Sequence, residues 1–404
     1  MSQHKRLLDK FEAVAAVRSD LMSESGSGSA SRDPTGIVID EILSPTEGLI
    51  EGRRTLLAGS NNYLGLTFDP ACIDAGKRAL ESQGSGTTGS RMANGSFADH
   101  STLERELAAF YDLPYGMLFS TGYAANLGAL TALLGPGDAV LLDADAHASL
   151  YDGCRMSGAD IYRFKHNDAG SLEKRLRRLG ERAANSLIVT EGLYSVLGDC
   201  APLAEISALA ADCGALLLVD EAHSLGVFGD RGRGVAEAQG VLDRVDFIVG
   251  TFSKSLAAMG GFCVSPHREL ELFRYVSRPF IFTASSSPAT IATVREALRQ
   301  LQARPELRAA LWRNARRLYT ALRERGYALG PDLSPVIAVR IGRRDEALAL
   351  WNRLLDAGVY VNLMVPPASP DSHSYLRCSI SAAHTAAQVD TLIEVFSQLA
   401  EPAP

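Results

Sequence analysis

The sequence predicts an α/β fold: a mostly parallel central sheet with flanking helices, followed by a smaller α+β C-terminal domain. Three observations predict it. From about residue 56 onward, short unbroken apolar runs bounded by Gly, Pro and Asp alternate with longer helix-like stretches, as strands buried on both faces require. Polar residues collect at the carboxyl ends of those runs, where open α/β sheets hold ligands. The 404 residues are also too many for one ordinary core.

Taken in order, residues 5–22 place Leu7, Leu8, Phe11, Val14, Ala15 and Leu21 near helical spacing, which predicts an amphipathic helix. Such a helix packs on its own domain or on a second subunit; a membrane-touching or acyl-binding arm is the alternative. Residues 23–36, SESGSGSASRDPTG, form a Gly/Ser-rich flexible link. The strands expected next are GMLFS (116–120), AVLLDAD (139–145), SLIVTEG (186–192), ALLLVDEAH (215–223) and DFIVGTFSK (246–254). A long helical segment over 288–327 leads to a smaller region with SPVIAVRI and YLRCSIS as strands. The domains are therefore an N-terminal helix and linker (1–55), a large α/β domain (56–290) and a small C-terminal domain (291–404).

Composition narrows the function classes. Hydrophobic residues make up 46% and charged residues 22%, the balance of a globular protein. A net charge of −7 without a Lys/Arg block gives no nucleic-acid footprint. The six cysteines are scattered without CxxC spacing. That argues against a zinc site or a disulfide framework and for a reducing cytoplasm. The N-terminus carries no signal-peptide apolar core, and no stretch reaches the ~18 apolar residues of a membrane span. Contact with a membrane is therefore expected to be peripheral at most.

The chemistry-bearing residues sit at strand ends. Asp220 ends a buried run, where a carboxylate needs a partner; a protonated pyridine nitrogen is one, and the pairing would keep that ring cationic and electron-withdrawing. By itself Asp220 serves equally well as a helix N-cap. His223, three residues on, could contact a ring phenol oxygen or a substrate carbonyl. Lys254 follows another apolar run, where partial desolvation lowers an amine's pKa and favours Schiff-base chemistry. Thr251 and Ser253 bring hydroxyls suited to a phosphate. In STGYAANLGAL the N–H groups of Gly122 and Tyr123 open a helix, an anion site, although Tyr123 also reads as a packing residue. His147, after AVLLDAD, could stack on a flat ring or be an ordinary hydrogen-bonded histidine. SNNYLG, with Tyr63, and GSGTTGSRMANGSFADH, with Thr88, are substrate-site loops or plain connections. Arg377 in YLRCSIS is a candidate carboxylate clamp; its residue type and position alone favour a surface ion pair.

The segments SNNYLGL, GSGTTGSR, STGYAAN, DADAHAS, EGLYSVLGD, VDEAHSLGVFG, GTFSK, FTAS and LRCSISAAHT resemble, in order, those of the α-oxoamine synthases, fold-type I enzymes that use pyridoxal 5′-phosphate (PLP). The resemblance covers roughly residues 40–395. Within the family the likeness is nearest to the soluble bacterial serine palmitoyltransferase branch, through SPTEGLIEGR, NGSFADH, HASLYDGC, FKHN, GRGVAEAQG and RPFIFTAS. It implies a decarboxylating condensation of L-serine with palmitoyl-CoA to 3-ketodihydrosphingosine, the entry step of sphingolipid synthesis. It implies PLP held covalently on Lys254, with Asp220 on the pyridine nitrogen, His223 on the phenol oxygen and His147 over the ring. Gly122, Tyr123, Ser195, Thr251 and Ser253 would hold the cofactor, with Thr283 reaching in from the partner of a homodimer. Arg377, Tyr63 and Thr88 would bind substrate.

Two departures bear on specificity. The bacterial serine palmitoyltransferase pattern carries an arginine where NLMVPPASP has Val365, and an asparagine where GSGTTGSR has Thr88. A sister synthase using alanine or glycine, or an acyl-carrier-protein donor, is the alternative within catalysis. A non-catalytic partner subunit would lack Lys254, and a PLP-fold transcription regulator would need a helix-turn-helix domain for which the N-terminal arm is too short.

Overall fold

The structure is a computed structural model, and it describes residues 7–23, 32–366 and 368–399. Most of the predicted link, residues 24–31, and the first two residues of the predicted N-terminal helix lie outside the described residues.

Seven strands form the central sheet, in the spatial order Tyr115–Phe119, Gly261–Ser265, Phe247–Thr251, Leu216–Asp220, Ser186–Glu191, Ala139–Asp143 and Asp160–Phe164. Gly261–Ser265 runs antiparallel to both of its neighbours, and the other neighbouring pairs are parallel. Each parallel strand returns through a helix, so both faces of the sheet are covered. Successive side chains of a strand point to opposite faces. Leu141, Ile188, Val219 and Ile248 accordingly join one buried cluster, and Leu142, Val189, Leu218 and Val249 join the other.

The C-terminal region carries an antiparallel sheet in the order Ala328–Leu329, Val336–Gly342, Ser374–Ser379, Asn362–Met364. A third sheet holds Glu41–Ser44, Glu47–Ile50 and Arg53–Leu57, and its fourth strand is Val359–Tyr360, paired in parallel with Arg53–Leu57. That pairing carries the segment after Leu57 across to the C-terminal region. There the Ser379 N–H donates to the Ala58 carbonyl, and the Ala382 N–H to that of Tyr63.

Two helical elements differ in detail from the sequence reading. The helical segment after 288 is two helices, Pro288–Ala303 and Pro305–Glu324. Pro305 lacks the N–H that a continuous helix would use and begins the second helix at its first position. The N-terminal helix runs Lys10–Ser23. Leu7 and Leu8 before it, and Phe11 and Val14 on it, are all exposed. No helix among the described residues is long and apolar enough to cross a membrane.

Candidate active site

The strand Leu216–Asp220 ends in a buried carboxylate. Asp220 Oδ2 accepts from the Asn126 side-chain amide at 2.7 Å, and Oδ1 accepts from the Ala222 N–H at 2.8 Å. Those are neutral donors. Among the described residues no cation forms a direct ion pair with it, so one strong acceptor faces the cavity, which it shares with the Lys254 amine. The parallel register sets Glu191 of the adjacent strand beside Asp220. Burial, and then the charge of Asp220, push the Glu191 carboxyl well above the usual range, which favours its protonated form.

Lys254 follows the next strand, Phe247–Thr251. Burial lowers its ammonium to about 8, against the opposing pull of Asp220 and Glu191. The amine is therefore half free of its proton near pH 8, whereas an exposed lysine reaches that point only near ~10.4. Lys254 and Asp220 line a single cavity of about 440 Å³ with Gly122, Tyr123, His147 and His223. The wall continues through Thr251, Ser253, Asn126 and Glu191.

At one end of this cavity is the helix Gly122–Leu133. Thr121 caps it, its hydroxyl accepting from the Ala124 N–H at 3.0 Å, while the N–H groups of Gly122 and Tyr123 find no partner among the described residues. Two free donors on a helix N-terminus form an anion site. The turn requires glycine, because a Cβ on Gly122 would stand 2.8 Å from Thr251 Cβ. Thr251 Oγ1 bonds Ser253 Oγ at 2.9 Å and the Gly260 carbonyl at 3.0 Å. The Tyr123 hydroxyl donates to Asp152.

Both histidines have assigned roles for one ring nitrogen. His147 Nδ1 accepts from the Ser149 N–H at 3.2 Å; burial, and then Lys254, keep the ring below its ordinary pKa, so the neutral ring carries its proton on Nε2. His223 is buried and its pKa is held well down by burial and by the Lys254 and Arg377 cations. Its Nδ1 lies 2.7 Å from the Tyr63 hydroxyl. When Tyr63 donates, Nε2–H is left to donate into the cavity. Tyr63 is fully buried, its phenol pushed up to about 12 chiefly by burial, so it stays a neutral donor.

The structure corrects the surface ion pair that Arg377 suggests when considered alone. Arg377 is buried, with Nε bonded to the Ser195 carbonyl and Nη2 to Asn61 Oδ1 at 2.9 Å. It has no carboxylate partner among the described residues, and Tyr63 links it to His223. Five expected residues do not line the cavity: Arg377 and Tyr63, which reach it through His223, and Ser195, Thr283 and Thr88. Ser195 reaches the site only through its carbonyl. Thr283 lines a neighbouring space with His100 and Ser120. Thr88 is exposed in a left-handed conformation, φ 57°. Val365 follows the strand Asn362–Met364, which pairs Asn362 with Arg377, and turns back through a bond from the Ala368 N–H. The sequence reading missed Asn126, Glu191 and Asn61. All three fall within quoted segments (STGYAAN, EGLYS, SNNYLG), so position next to a recognised residue was the available signal.

The set fits PLP. Free N–H donors on the helix N-terminus suit a phosphate, a carboxylate without a direct ion pair suits a ring cation, and a lowered-pKa amine suits an aldehyde. Comparison with known proteins agrees. The family model for class I and II aminotransferases matches residues 55–396. The chain is 54% identical over 367 residues to a serine palmitoyltransferase of Caulobacter vibrioides, covering 91% of each chain. It is 48% identical over 398 residues to a serine palmitoyltransferase of Sphingomonas paucimobilis, covering 98% of this chain and 93% of the other. A high-resolution structure of serine palmitoyltransferase with PLP superposes with a TM-score of 0.94, at 48% identity and 98% coverage of both chains.

Proposed function

Because the chain belongs to the class I and II aminotransferase family, in its serine palmitoyltransferase group, we propose that it condenses L-serine with a long-chain acyl thioester, palmitoyl-CoA. A bond forms between the serine Cα and the thioester carbonyl carbon. The coenzyme A thiol and carbon dioxide leave, giving 3-ketodihydrosphingosine. The chain is a PLP-dependent acyltransferase. The observation that carries the reading is the meeting, in one cavity, of the lowered-pKa amine of Lys254 with the buried carboxylate of Asp220, whose direct donors are neutral.

Bound PLP supplies an electron sink for the charge that builds up at the substrate Cα. The protein does the rest. Lys254 would hold the cofactor and would take the substrate Cα proton as general base, a contribution of about 10²–10⁴-fold. Asp220, steadied by Asn126 and the Ala222 N–H, keeps the ring nitrogen protonated. His223 Nε2–H and the His147 ring hold the ring's oxygen and face. Gly122, Tyr123, Thr251 and Ser253 receive the phosphate. Arg377 receives the serine carboxylate on the guanidinium edge that Asn61 and Ser195 leave free. The unit is a homodimer with Thr283 completing the partner's site, and its compartment is the cytoplasm, in keeping with six unpaired cysteines.

Purified protein given L-serine, L-alanine or glycine with palmitoyl-CoA, and read by product mass, tests this. Serine should give the ketosphinganine product. Thr88 and Val365 favour one competing reading, a sister synthase with a different amino acid or an acyl-carrier-protein donor. Product from alanine or glycine alone would establish it.

A further inference from the structure

A second cluster of charge lies behind the cavity wall. His166 follows the edge strand Asp160–Phe164. Its Nδ1 is 2.9 Å from Asp143 Oδ1 and its Nε2 is 2.8 Å from Asp199 Oδ2. Both carboxylates are buried, and an ionised carboxylate only accepts hydrogen bonds. Both ring nitrogens must therefore donate, which makes the ring an imidazolium clamped from two sides. The Tyr194 ring meets it edge-on at 4.4 Å, and Asp145 lies 3.9 Å from Nδ1. Asn167 doubles the link, its N–H donating to Asp143 Oδ2 at 3.0 Å and its side-chain amide to Asp199 Oδ2 at 2.9 Å.

Asp199 stands on a tight turn. The Tyr194 N–H donates to the Asp199 carbonyl at 2.9 Å, and the Gly198 N–H to the Tyr194 carbonyl at 3.1 Å. Leu193 and Cys200 close the base of the turn as a bridge. Ser195 lies at its tip, and the Ser195 carbonyl holds Arg377 Nε. The contacts thus run without a gap from His166 through Asp199 and the turn to the guanidinium. Asp199 is the one charged residue in 194–199, so the turn's ionic tie is its pair with His166, and the Asn167 amide adds a neutral bond to the same carboxylate.

We propose that His166 is a positioning residue for the substrate carboxylate: it pins the 194–199 turn so that the Ser195 carbonyl sets the angle of the Arg377 guanidinium. The inference rests on the reading that Arg377 receives the amino acid carboxylate. Burial works against the charge on His166, but the bonds to Asp143 and Asp199 outweigh it and hold the ring's pKa at about 10. The clamp therefore stays closed across the working pH range.

The test uses PLP-loaded enzyme. His166→Gln should raise the L-serine KM and dissociation constant about tenfold, the worth of one oriented bond to a charged group, and leave kcat within about twofold. The palmitoyl-CoA KM should not move. In an Arg377→Ala background the same change should add nothing to the serine dissociation constant. An unchanged serine constant, an equal increase in both backgrounds, or a parallel loss of kcat and of both affinities would overturn the proposal. Asp199→Asn, which keeps the side-chain shape, carries the same test should His166→Gln fail to fold. A wild-type enzyme that binds L-serine without turning it over would remove the proposed reaction. The positioning role would then be decided on the dissociation constants alone.

Discussion

An amine attacks an aldehyde through its lone pair, so what matters at Lys254 is the fraction of amine without a proton. Burial lowers its pKa to about 8. The sign is that of a lowered base: the reactive neutral form grows as pH rises, reaches half near pH 8 and is nearly complete about one pH unit above that. The rate at which PLP attaches to apo-enzyme, followed by stopped-flow absorbance, should therefore rise through neutrality and level off about one unit above pH 8; a surface lysine would keep rising towards ~10.4. Asp220→Asn should leave the fold in place and lower kcat by roughly 10²–10³, the range for losing one aimed electrostatic contact, as steady-state kinetics would show. The residues that the sequence made legible are those whose chemistry is rare at a strand end: an acid, an amine and two imidazoles. Asn126 was not legible, because its partner Asp220 lies 94 residues away. No local pattern announces a bond across that gap. Arg377 is the opposite case: its local pattern pointed to water, and only the fold buries it.

The elements that hold the site are strand ends and one capped helix. Thr121 satisfies a helix N–H that would otherwise compete for the anion. Thr121→Ala should cost about 1 kcal/mol of stability and weaken PLP affinity, to be read by thermal melting with and without cofactor and by PLP titration. Central strands were legible because they are apolar without interruption. Asp160–Phe164 was not, being an edge strand with exposed residues in its burial pattern. Gly261–Ser265 was missed because five residues behind an irregular loop carry too little pattern. The short N-terminal strands were missed because Arg53–Leu57 and its neighbours mix charge with apolar residues. The helical segment expected over 288–327 is helical but broken at Pro305, where the apolar spacing continues but the backbone cannot.

At the scale of the whole molecule, large apolar side chains stand in water on one chain alone: Met92, Met259, Leu272, Tyr275, Val276 and Phe282. Phe282 adjoins Thr283, the residue assigned to the partner's site. An aspartate at an exposed position is tolerated by a monomer, but it is costly where a second subunit buries it. Phe282→Asp should shift sedimentation from twice the chain mass towards a single chain and lower activity in parallel. A dimer unaffected by the change would place the interface elsewhere.

The parallel pairing of Arg53–Leu57 with Val359–Tyr360 has a further consequence for the birth of the molecule. A nascent chain on the ribosome offers its early strands long before their mate has been translated. The loop bearing Asn61 and Tyr63 must therefore wait, unanchored, until synthesis is nearly over. Truncated translation products should accordingly stay open to protease around residue 58, and the last strands to emerge are what seat the loop bearing Asn61 and Tyr63.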